Sequence, residues 1–111
     1  MARAAPKPGC PVRGSTTGRP VMALIDLIGR RWVLRVVWEL RGAPLTFRAL
    51  QRACSDVSPS VLNQRLAELR ASALIELQAE GYVLTALGRE LLALLLPLTR
   101  WADKWAKAVA D

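Results

Sequence analysis

Between residues 20 and 41, apolar side chains recur every three or four positions, the spacing that places them on one face of an α-helix. A first helix is predicted to begin at Pro20, because proline suits the first helical turn, and to end at Gly29. A second is predicted from Arg30 to Arg41, where the Gly-Ala-Pro triplet at 42–44 breaks the pattern. This part of the chain therefore predicts two short amphipathic helices.

The segment from Thr46 to Leu74 predicts two further helices joined by a tight polar turn. Thr46 is a good N-cap for the first, and Ser58 is a good N-cap for the second, which then begins at Pro59. On a helical wheel with about 100° per residue, three leucines of the second helix cluster and form its predicted buried face: Leu62, Leu66 and Leu69. Short polar side chains lie on the other side. This is the pattern of a helix-turn-helix whose second helix enters a DNA groove.

In residues 75–84 apolar and polar side chains alternate and no longer recur at helical spacing, which indicates a β-hairpin. Ile75 and Leu77 alternate with polar residues. A three-residue turn is predicted at Ala79-Glu80-Gly81, because glycine is common in hairpin loops of that length.

The last helix is predicted to be capped by Thr85, to run toward Ala110 and to be kinked at Pro97. A short edge strand is predicted at Leu45. The order is then helix, helix, short strand, helix, helix, hairpin and long helix. This order predicts a mainly α (α+β) fold, a winged helix-turn-helix with a short two-stranded wing.

The charge of the chain is unevenly distributed. The 111 residues carry 16 Lys and Arg against nine Asp and Glu, a net charge of +7. Residues 1–70 hold twelve basic and four acidic side chains, whereas residues 71–111 hold four basic and five acidic ones. Basic charge concentrated around the two-helix unit favours a polyanionic partner such as double-stranded DNA. A high arginine content that reflects genome composition is the alternative explanation.

Residues 1–18 are predicted to be a disordered basic tail, since they contain three Pro, three Gly and no helical or strand period. Arg3, Lys7 and Arg13 of this tail could contact phosphates, or the tail could have no role. Residues 19–111 are predicted to form one domain, which is an ordinary size.

Several classes of protein are disfavoured by composition. With no histidine and only two cysteines, Cys10 and Cys54, the chain offers neither a usual zinc site nor a disulfide scaffold, and no metal or cofactor is expected. No nucleophile–base pair or phosphate-binding loop is visible, so an enzyme is not expected. The longest apolar run, Leu91 to Leu98, is far shorter than the roughly 20 residues that cross a bilayer. A cytoplasmic protein without a membrane segment is therefore predicted.

Base recognition is predicted at the start of the second helix of the pair, because base edges are read by side chains from the first turns of such a helix. Asn and Gln can bond bidentately to adenine, Ser can bond several bases, and an apolar side chain can touch a thymine methyl group. The candidates are Ser60, Val61, Asn63 and Gln64. Ordinary solvated residues are the alternative.

Phosphate contacts are predicted on both helices of the pair. Arg48 and Arg52 lie four residues apart and so share one helical face. The full set is Thr46, Arg48, Arg52, Ser58 and Arg65. For Arg65 a phosphate contact and a structural ion pair are both open, and for the other arginines a solvated face is the alternative. Arg30, Arg31 and Arg35 of the preceding helix are secondary candidates.

The first and last helices are more apolar than a small monomer needs, which predicts that they form a homodimer. The residues concerned are Val21, Leu24, Ile25, Leu94, Leu98, Trp101 and Trp105. A two-fold dimer places its two recognition helices about one DNA turn, ~34 Å, apart and so predicts an inverted-repeat operator. Alternatively, these side chains close the core of a single chain. Cys54 is predicted to be a small core residue, with a reactive thiol as the alternative. Cys10 is predicted to be exposed, where it could be oxidised or pair with another subunit.

From Arg19 to Trp105 the sequence resembles the HxlR-type winged helix-turn-helix transcriptional regulators, relatives of the MarR-like group. The matching segments are RPVMALIDLIGRRW (19–32), PLTFRALQRAC (44–54), SPSVLNQRLAELRASALIE (58–76), YVLTALGRELL (82–92) and RWADKW (100–105). The third is similar to the family pattern S-P-x-x-L-x-x-R-L-x-x-L-x-x-x-G-L-[IV]. The resemblance implies a DNA-binding regulator with N- and C-terminal dimerisation helices.

Three positions depart from the family pattern. The N-terminal cysteine that some members use for redox sensing falls at Arg19, while a similar Cys-Pro-Val triplet occurs nine residues earlier, at residues 10–12. The glycine usual before the first strand is absent from Ser72-Ala73-Leu74. The wing is short and carries Glu76 and Glu80 but no Lys or Arg, so a strong contact between wing and phosphate is not expected.

These observations predict a sequence-specific transcriptional regulator, a repressor that binds an inverted repeat as a homodimer. Two alternatives remain: a winged helix that binds protein, and a non-specific architectural DNA binder. A small-molecule effector is possible, and nothing in the sequence identifies it.

Overall fold

A computed structural model describes residues 4–12 and 16–110. The helices within these residues are α1 (Pro20–Ile28), α2 (Val33–Glu39), α3 (Phe47–Ala53), α4 (Pro59–Ala71), α5 (Ala86–Leu95) and α6 (Pro97–Val109), and the strands are β1 (Ile75–Gln78) and β2 (Gly81–Leu84). This order confirms the predicted winged helix-turn-helix. Helices α3 and α4 form the helix-turn-helix, and β1 and β2 form the wing.

Three hydroxyl side chains start helices where the sequence predicted them. The Ala49 amide donates to Thr46 Oγ1 at 3.2 Å, the Val61 amide to Ser58 Oγ at 3.3 Å and the Gly88 amide to Thr85 Oγ1 at 3.0 Å. Each hydroxyl satisfies one of the amide groups that the first turn of a helix leaves without a partner. The starts of α3, α4 and α5 are thus determined locally.

Helix α2 begins three residues later than predicted. The prediction placed its start at Arg30, but Trp32 has a φ of 78° and lies in the left-handed region, which cannot continue a right-handed helix. Residues 30–32 instead form a turn in which the Val33 amide donates to the Arg30 carbonyl oxygen at 3.2 Å. The apolar period of residues 30–41 did not reveal this turn, because Trp32 continues the apolar stripe.

The wing has a tighter loop than the predicted three residues. Gln78 pairs with Gly81 in the antiparallel register, so Ala79 and Glu80 alone form the loop. Leu45 forms a single antiparallel bridge with Tyr82, in agreement with the predicted edge strand. Leu77 is 52% exposed, because the outer half of the hairpin extends beyond the core.

The last helix is interrupted at the predicted proline. Helix α5 ends at Leu95, and α6 begins at Pro97, whose ring removes a backbone donor and cannot fit inside a regular helix. Leu96 between them retains helical dihedrals, so α6 follows α5 without an intervening loop.

One hydrophobic core joins the helix-turn-helix to α2, the wing and α5. The three leucines predicted on the inner face of α4 are at most 2% exposed. The other core members include Val33, Val36, Val37, Leu50, Cys54, Ile75, Leu84 and Leu91. Helix α6 contributes no buried residue to it.

The described part of the predicted tail lies beside α1 and the end of α4. Residues 6–8 border an apolar cavity of about 280 Å³ together with side chains of α1 and of residues 71–74. The Gly9 amide donates to the Gly18 carbonyl oxygen at 2.9 Å. Arg3, Arg13 and Asp111 lie outside the described residues, and the disorder of residues 1–18 stays a prediction.

Candidate nucleic-acid interface

Helix α4 presents a polar edge to solvent opposite its buried leucines. Ser60, Asn63 and Gln64 are exposed, as the helical wheel predicted. Val61 is half-buried and packs against the core, so less of it is available to a base than the wheel suggested. The edge therefore offers hydroxyl and amide groups, which can both donate and accept hydrogen bonds.

The turn between α3 and α4 positions this edge. Ser55 and Asp56 have φ values of 58° and 57°, and two consecutive left-handed residues reverse the chain tightly. Gln51 braces the turn, because its Nε2 donates to the Val57 carbonyl oxygen at 3.0 Å. The composition of the turn was a readable signal, but the bracing role of Gln51 was not predicted and had no local signature.

The capping hydroxyls of Thr46 and Ser58 lie at the starts of the two helices, and both residues are exposed. Each oxygen accepts a backbone amide, which leaves the hydroxyl hydrogen to donate to a further acceptor. The geometry is compatible with the predicted phosphate contacts, which stay predictions.

Arg48 and Arg52 are exposed on α3. Among the described residues, neither guanidinium makes an ion pair or a hydrogen bond to another side chain, whereas Arg30, Arg35 and Arg65 all do. Both cations of α3 are therefore available to an external anion.

Arg65 takes part in a structural ion pair, the second of the two alternatives left open by the sequence. Its Nη1 lies 2.6 Å from Glu68 Oε1, and its Nε donates to the Arg31 carbonyl oxygen at 2.8 Å. Two of its nitrogen atoms are thus held within the protein. Its predicted phosphate contact is untested.

Two of the secondary candidates are also engaged. Arg30 is buried at 8% exposure and pairs with Glu68 and Asp26, so it cannot lie on a solvated face. Arg35 pairs with Glu39 at 2.7 Å and donates to the Ala53 carbonyl oxygen. Arg31 is exposed, and its guanidinium lies 5.5 Å from the Trp32 ring centroid.

The wing contributes negative charge. Glu76 and Glu80 are exposed, and Glu76 Oε1 accepts a hydrogen bond from Gln78 Nε2 at 2.8 Å. A phosphate approaching this hairpin would meet carboxylates, which is unfavourable. Arg48 and Arg52 of α3, by contrast, present exposed positive charge.

The apolar residues predicted to form a dimer are exposed in the single chain. They are Val21, Leu24 and Ile25 of α1, Leu94 of α5, and Leu98, Trp101 and Trp105 of α6, with exposed fractions from 38% to 75%. Trp101 and Trp105 stack with their ring centroids 6.2 Å apart. The alternative that these side chains close the core of one chain is thus not what the structure shows.

The two cysteines differ in environment. Cys54 is fully buried in the core and Cys10 is exposed, as predicted. Burial raises the pKa of the Cys54 thiol, the nearby Arg35 guanidinium opposes that rise, and Glu39 adds to it. The net effect keeps Cys54 protonated and unreactive near neutral pH.

A family model described as HxlR-like helix-turn-helix matches residues 27–110, which cover the whole helix-turn-helix, the wing and the last two helices. The chain belongs to this family. It is therefore a transcriptional regulator with a helix-turn-helix DNA-binding fold.

Individual relatives agree with this assignment. The HTH-type transcriptional regulator YvaP of Bacillus subtilis (strain 168) is 28% identical over 88 residues, or 73% of this chain and 82% of YvaP. The HTH-type transcriptional regulator YodB of the same organism is 26% identical over 101 residues, or 85% of this chain and 90% of YodB.

Solved structures share the fold. The crystal structure of quinone-bound YodB from B. subtilis matches with a TM-score of 0.71 and 28% identity, covering 76% of this chain and 96% of that one. A possible HxlR family transcriptional factor from Thermoplasma volcanium GSS1 matches with a TM-score of 0.67 at 20% identity, covering 76% and 82%. Of the described helices, none combines the length and apolar character that a bilayer-spanning segment needs.

Proposed function

We propose that the protein is a sequence-specific repressor that binds an inverted-repeat operator as a homodimer. The observation that supports this most is the exposed polar edge of α4, with Ser60, Asn63 and Gln64, which follows α3 and its two exposed arginines. The amides carry specificity and the cations carry affinity. A regulator of transcription of this kind acts in the cytoplasm of a bacterium, where its DNA is.

The types of side chain on α4 favour sequence recognition over non-specific binding. A non-specific binder depends on Lys and Arg, whose contacts to phosphate are independent of sequence. On the edge of α4 the exposed side chains of the first two turns are instead hydroxyl and amide groups. A bidentate amide–adenine pair discriminates against a wrong base by about 1–3 kcal/mol.

The exposed apolar side chains of α1 and α6 support the proposed homodimer. Trp101 and Trp105, each more than half exposed, would bring a large apolar area into water in a lone chain. Exposed apolar patches of this kind mark protein–protein interfaces. A two-fold contact through these helices would present two copies of α4 to successive turns of the major groove, which corresponds to an inverted repeat.

Repression needs nothing beyond these two surfaces. A dimer that occupies an operator excludes other proteins from the same DNA, and no contact with the transcription machinery is required. We therefore place repression before activation.

The acidic wing supports a second candidate function, a winged helix that binds a basic protein surface. Glu76 and Glu80 are exposed and the hairpin displays Leu77 at 52% exposure, a combination suited to a protein partner. This candidate predicts no salt-dependent DNA binding.

A small-molecule effector is part of the proposal only by analogy. YodB has been crystallised with a quinone bound. A quinone is therefore the first compound to add to the DNA-binding assay, with release of the operator as the expected effect.

Selection of binding sites from random double-stranded DNA tests the proposal, followed by mobility shift at two salt concentrations. The expected result is one enriched inverted repeat whose affinity falls as salt rises. Gln64→Ala should change the preferred base at one position of each half-site and leave the other positions alone. Enrichment of no sequence would reject specific recognition, and binding of all sequences equally would indicate an architectural protein.

A further inference from the structure

A cluster of four charged side chains connects α4 to the segment that contains α1 and the following turn. Glu68 of α4 is central to it: Arg30 Nη1 donates to Glu68 Oε2 at 2.5 Å and Arg65 Nη1 donates to Glu68 Oε1 at 2.6 Å. Arg30 Nη2 in turn donates to Asp26 Oδ2 at 3.1 Å. Two cations and two anions are therefore joined in one network.

The network is buried. The side chains of Arg30, Asp26 and Glu68 are 5%, 8% and 7% exposed, and that of Arg65 is 18% exposed. Charges removed from water are costly unless their geometry is well defined and their hydrogen bonds are satisfied. Such a cluster adds little to stability compared with an apolar replacement, so a role in structural specificity is the natural explanation for it.

These bonds orient α4 in a way that the leucines cannot. The burial of Leu62, Leu66 and Leu69 depends on the area removed from water and has no directional preference. Hydrogen bonds between guanidinium and carboxylate groups are directional. Arg30 connects the α1–α2 segment to Glu68 of α4, and Arg65 of α4 donates to the Arg31 carbonyl oxygen at 2.8 Å.

The orientation of α4 matters because its polar edge lies on the same helix as Glu68. Gln64 immediately precedes Arg65 and lies one turn before Glu68, so any rotation of Glu68 about the helix axis is shared by Gln64. With side chains a helix is about 10–12 Å wide, so a rotation of roughly 20° moves an exposed side chain by about 2 Å. A hydrogen bond to a base tolerates only about 0.5 Å.

We propose that Glu68 is a positioning residue for DNA sequence recognition. By bridging Arg30 and Arg65 it sets the rotation of α4 on the α1–α2 segment, and thereby the bases that Asn63 and Gln64 meet. This inference rests on the proposed sequence-specific binding. It assigns no DNA contact to Glu68 itself.

The test compares Glu68→Gln with the matched control Glu39→Gln in the full chain. Glu39 pairs with Arg35 at 2.7 Å within α2, so its replacement removes an arginine–glutamate pair that does not reach α4. Each variant is examined by site selection from random DNA and by affinity for the selected site and for unrelated DNA. Circular dichroism and thermal unfolding establish that each variant is folded.

For Glu68→Gln the ratio of specific to non-specific affinity is expected to fall at least tenfold, with a broader selected profile and non-specific affinity within about twofold of the parent. Glu39→Gln should keep both the ratio and the profile. If Glu68→Gln does not fold, Arg30→Lys is tested by the same selection and affinity measurements. Lysine keeps the positive charge but lacks the planar guanidinium group that hydrogen-bonds to two carboxylates.

Two results would overturn the inference. One is an unchanged ratio and profile in the folded variant. The other is an equal loss of specific and non-specific binding, which indicates a purely structural role. If the parent protein itself selects no sequence, the proposed function fails first, whereas selection by the parent with no change in the variants rejects only the role of Glu68.

Discussion

At the scale of single residues, interactions between neighbours in the chain could be predicted from the sequence, and interactions between distant residues could not. Thr46, Ser58 and Thr85 each cap a helix because the amide they accept is three residues away. The ion pair of Arg30 with Glu68 spans 38 residues, and no local pattern announces it. The i,i+3 spacing of Arg65 and Glu68 and the i,i+4 spacing of Asp26 and Arg30 were the local signals for that cluster.

Arg48→Ala is expected to weaken binding to all DNA sequences alike, because Arg48 is an exposed cation on α3 with no ion-pair partner in the described chain. The slope of log affinity against log salt should become shallower by about one unit for each copy of the chain bound. Titrations at several salt concentrations measure it. Arg100→Ala, an exposed arginine on α6, is the control and should leave the slope alone; an unchanged slope in Arg48→Ala as well would remove Arg48 from the interface.

The two thiols should react at very different rates. Burial raises the pKa of Cys54, so its reactive thiolate is scarce at pH 7–8 and becomes more abundant only as pH increases. Cys10 is exposed. A thiol reagent should therefore label one equivalent quickly in the folded protein and a second after denaturation. Two equally fast equivalents in the folded state would contradict the buried position of Cys54.

Among the structural elements, the wing contacts the backbone of Leu45, in the segment just before α3. Leu45 and Tyr82 exchange backbone hydrogen bonds of 3.1 and 2.8 Å. The contact needs a glycine beside it, because Gly81 has a φ of +131° and a Cβ there would lie 2.5 Å from the Leu45 carbonyl oxygen. The sequence placed this glycine in the loop, whereas the structure uses it in the strand.

Gly81→Ala should lower the free energy of unfolding by about 1–3 kcal/mol, since both the backbone region and the close approach disfavour a side chain. In a domain of about 100 residues this corresponds to a decrease in Tm of several degrees. Gly42→Ala is the matched control, because a Cβ at Gly42 meets no atom within 4 Å. Equal thermal stability of the two variants would show that the wing adapts to the added methyl group.

In the molecule as a whole, polar and apolar surfaces are segregated. The exposed sides of α3 and α4 carry basic and uncharged polar side chains, while α1 and α6 carry exposed apolar side chains. Under the proposed function, α3 and α4 bind DNA and α1 and α6 bind a second copy of the chain.

The apolar surface predicts the mass of the particle in solution. At micromolar concentration the protein should sediment as two chains, and the double variant Trp101→Arg and Trp105→Arg as one, because four arginines in a two-fold interface would be buried without partners. Lys107→Ser, on the polar side of α6, is the control and should remain a dimer. A single-chain mass for the parent protein would contradict the proposed dimer and the inverted repeat.

By itself the sequence determined the order of elements, the three hydroxyl caps, the break at Pro97 and the buried and exposed sides of α4. These features depend on periodicity and on contacts within about four residues, which the chain carries locally.

Only the tertiary structure decided the turn at residues 30–32, the two-residue loop of the wing, the brace from Gln51 and the burial of Arg30 and Glu68. Each of these depends on the packing of the folded chain, which the local sequence pattern does not contain. The polar edge of α4 was thus legible in the sequence, whereas the contact of Arg30 with Glu68 was not.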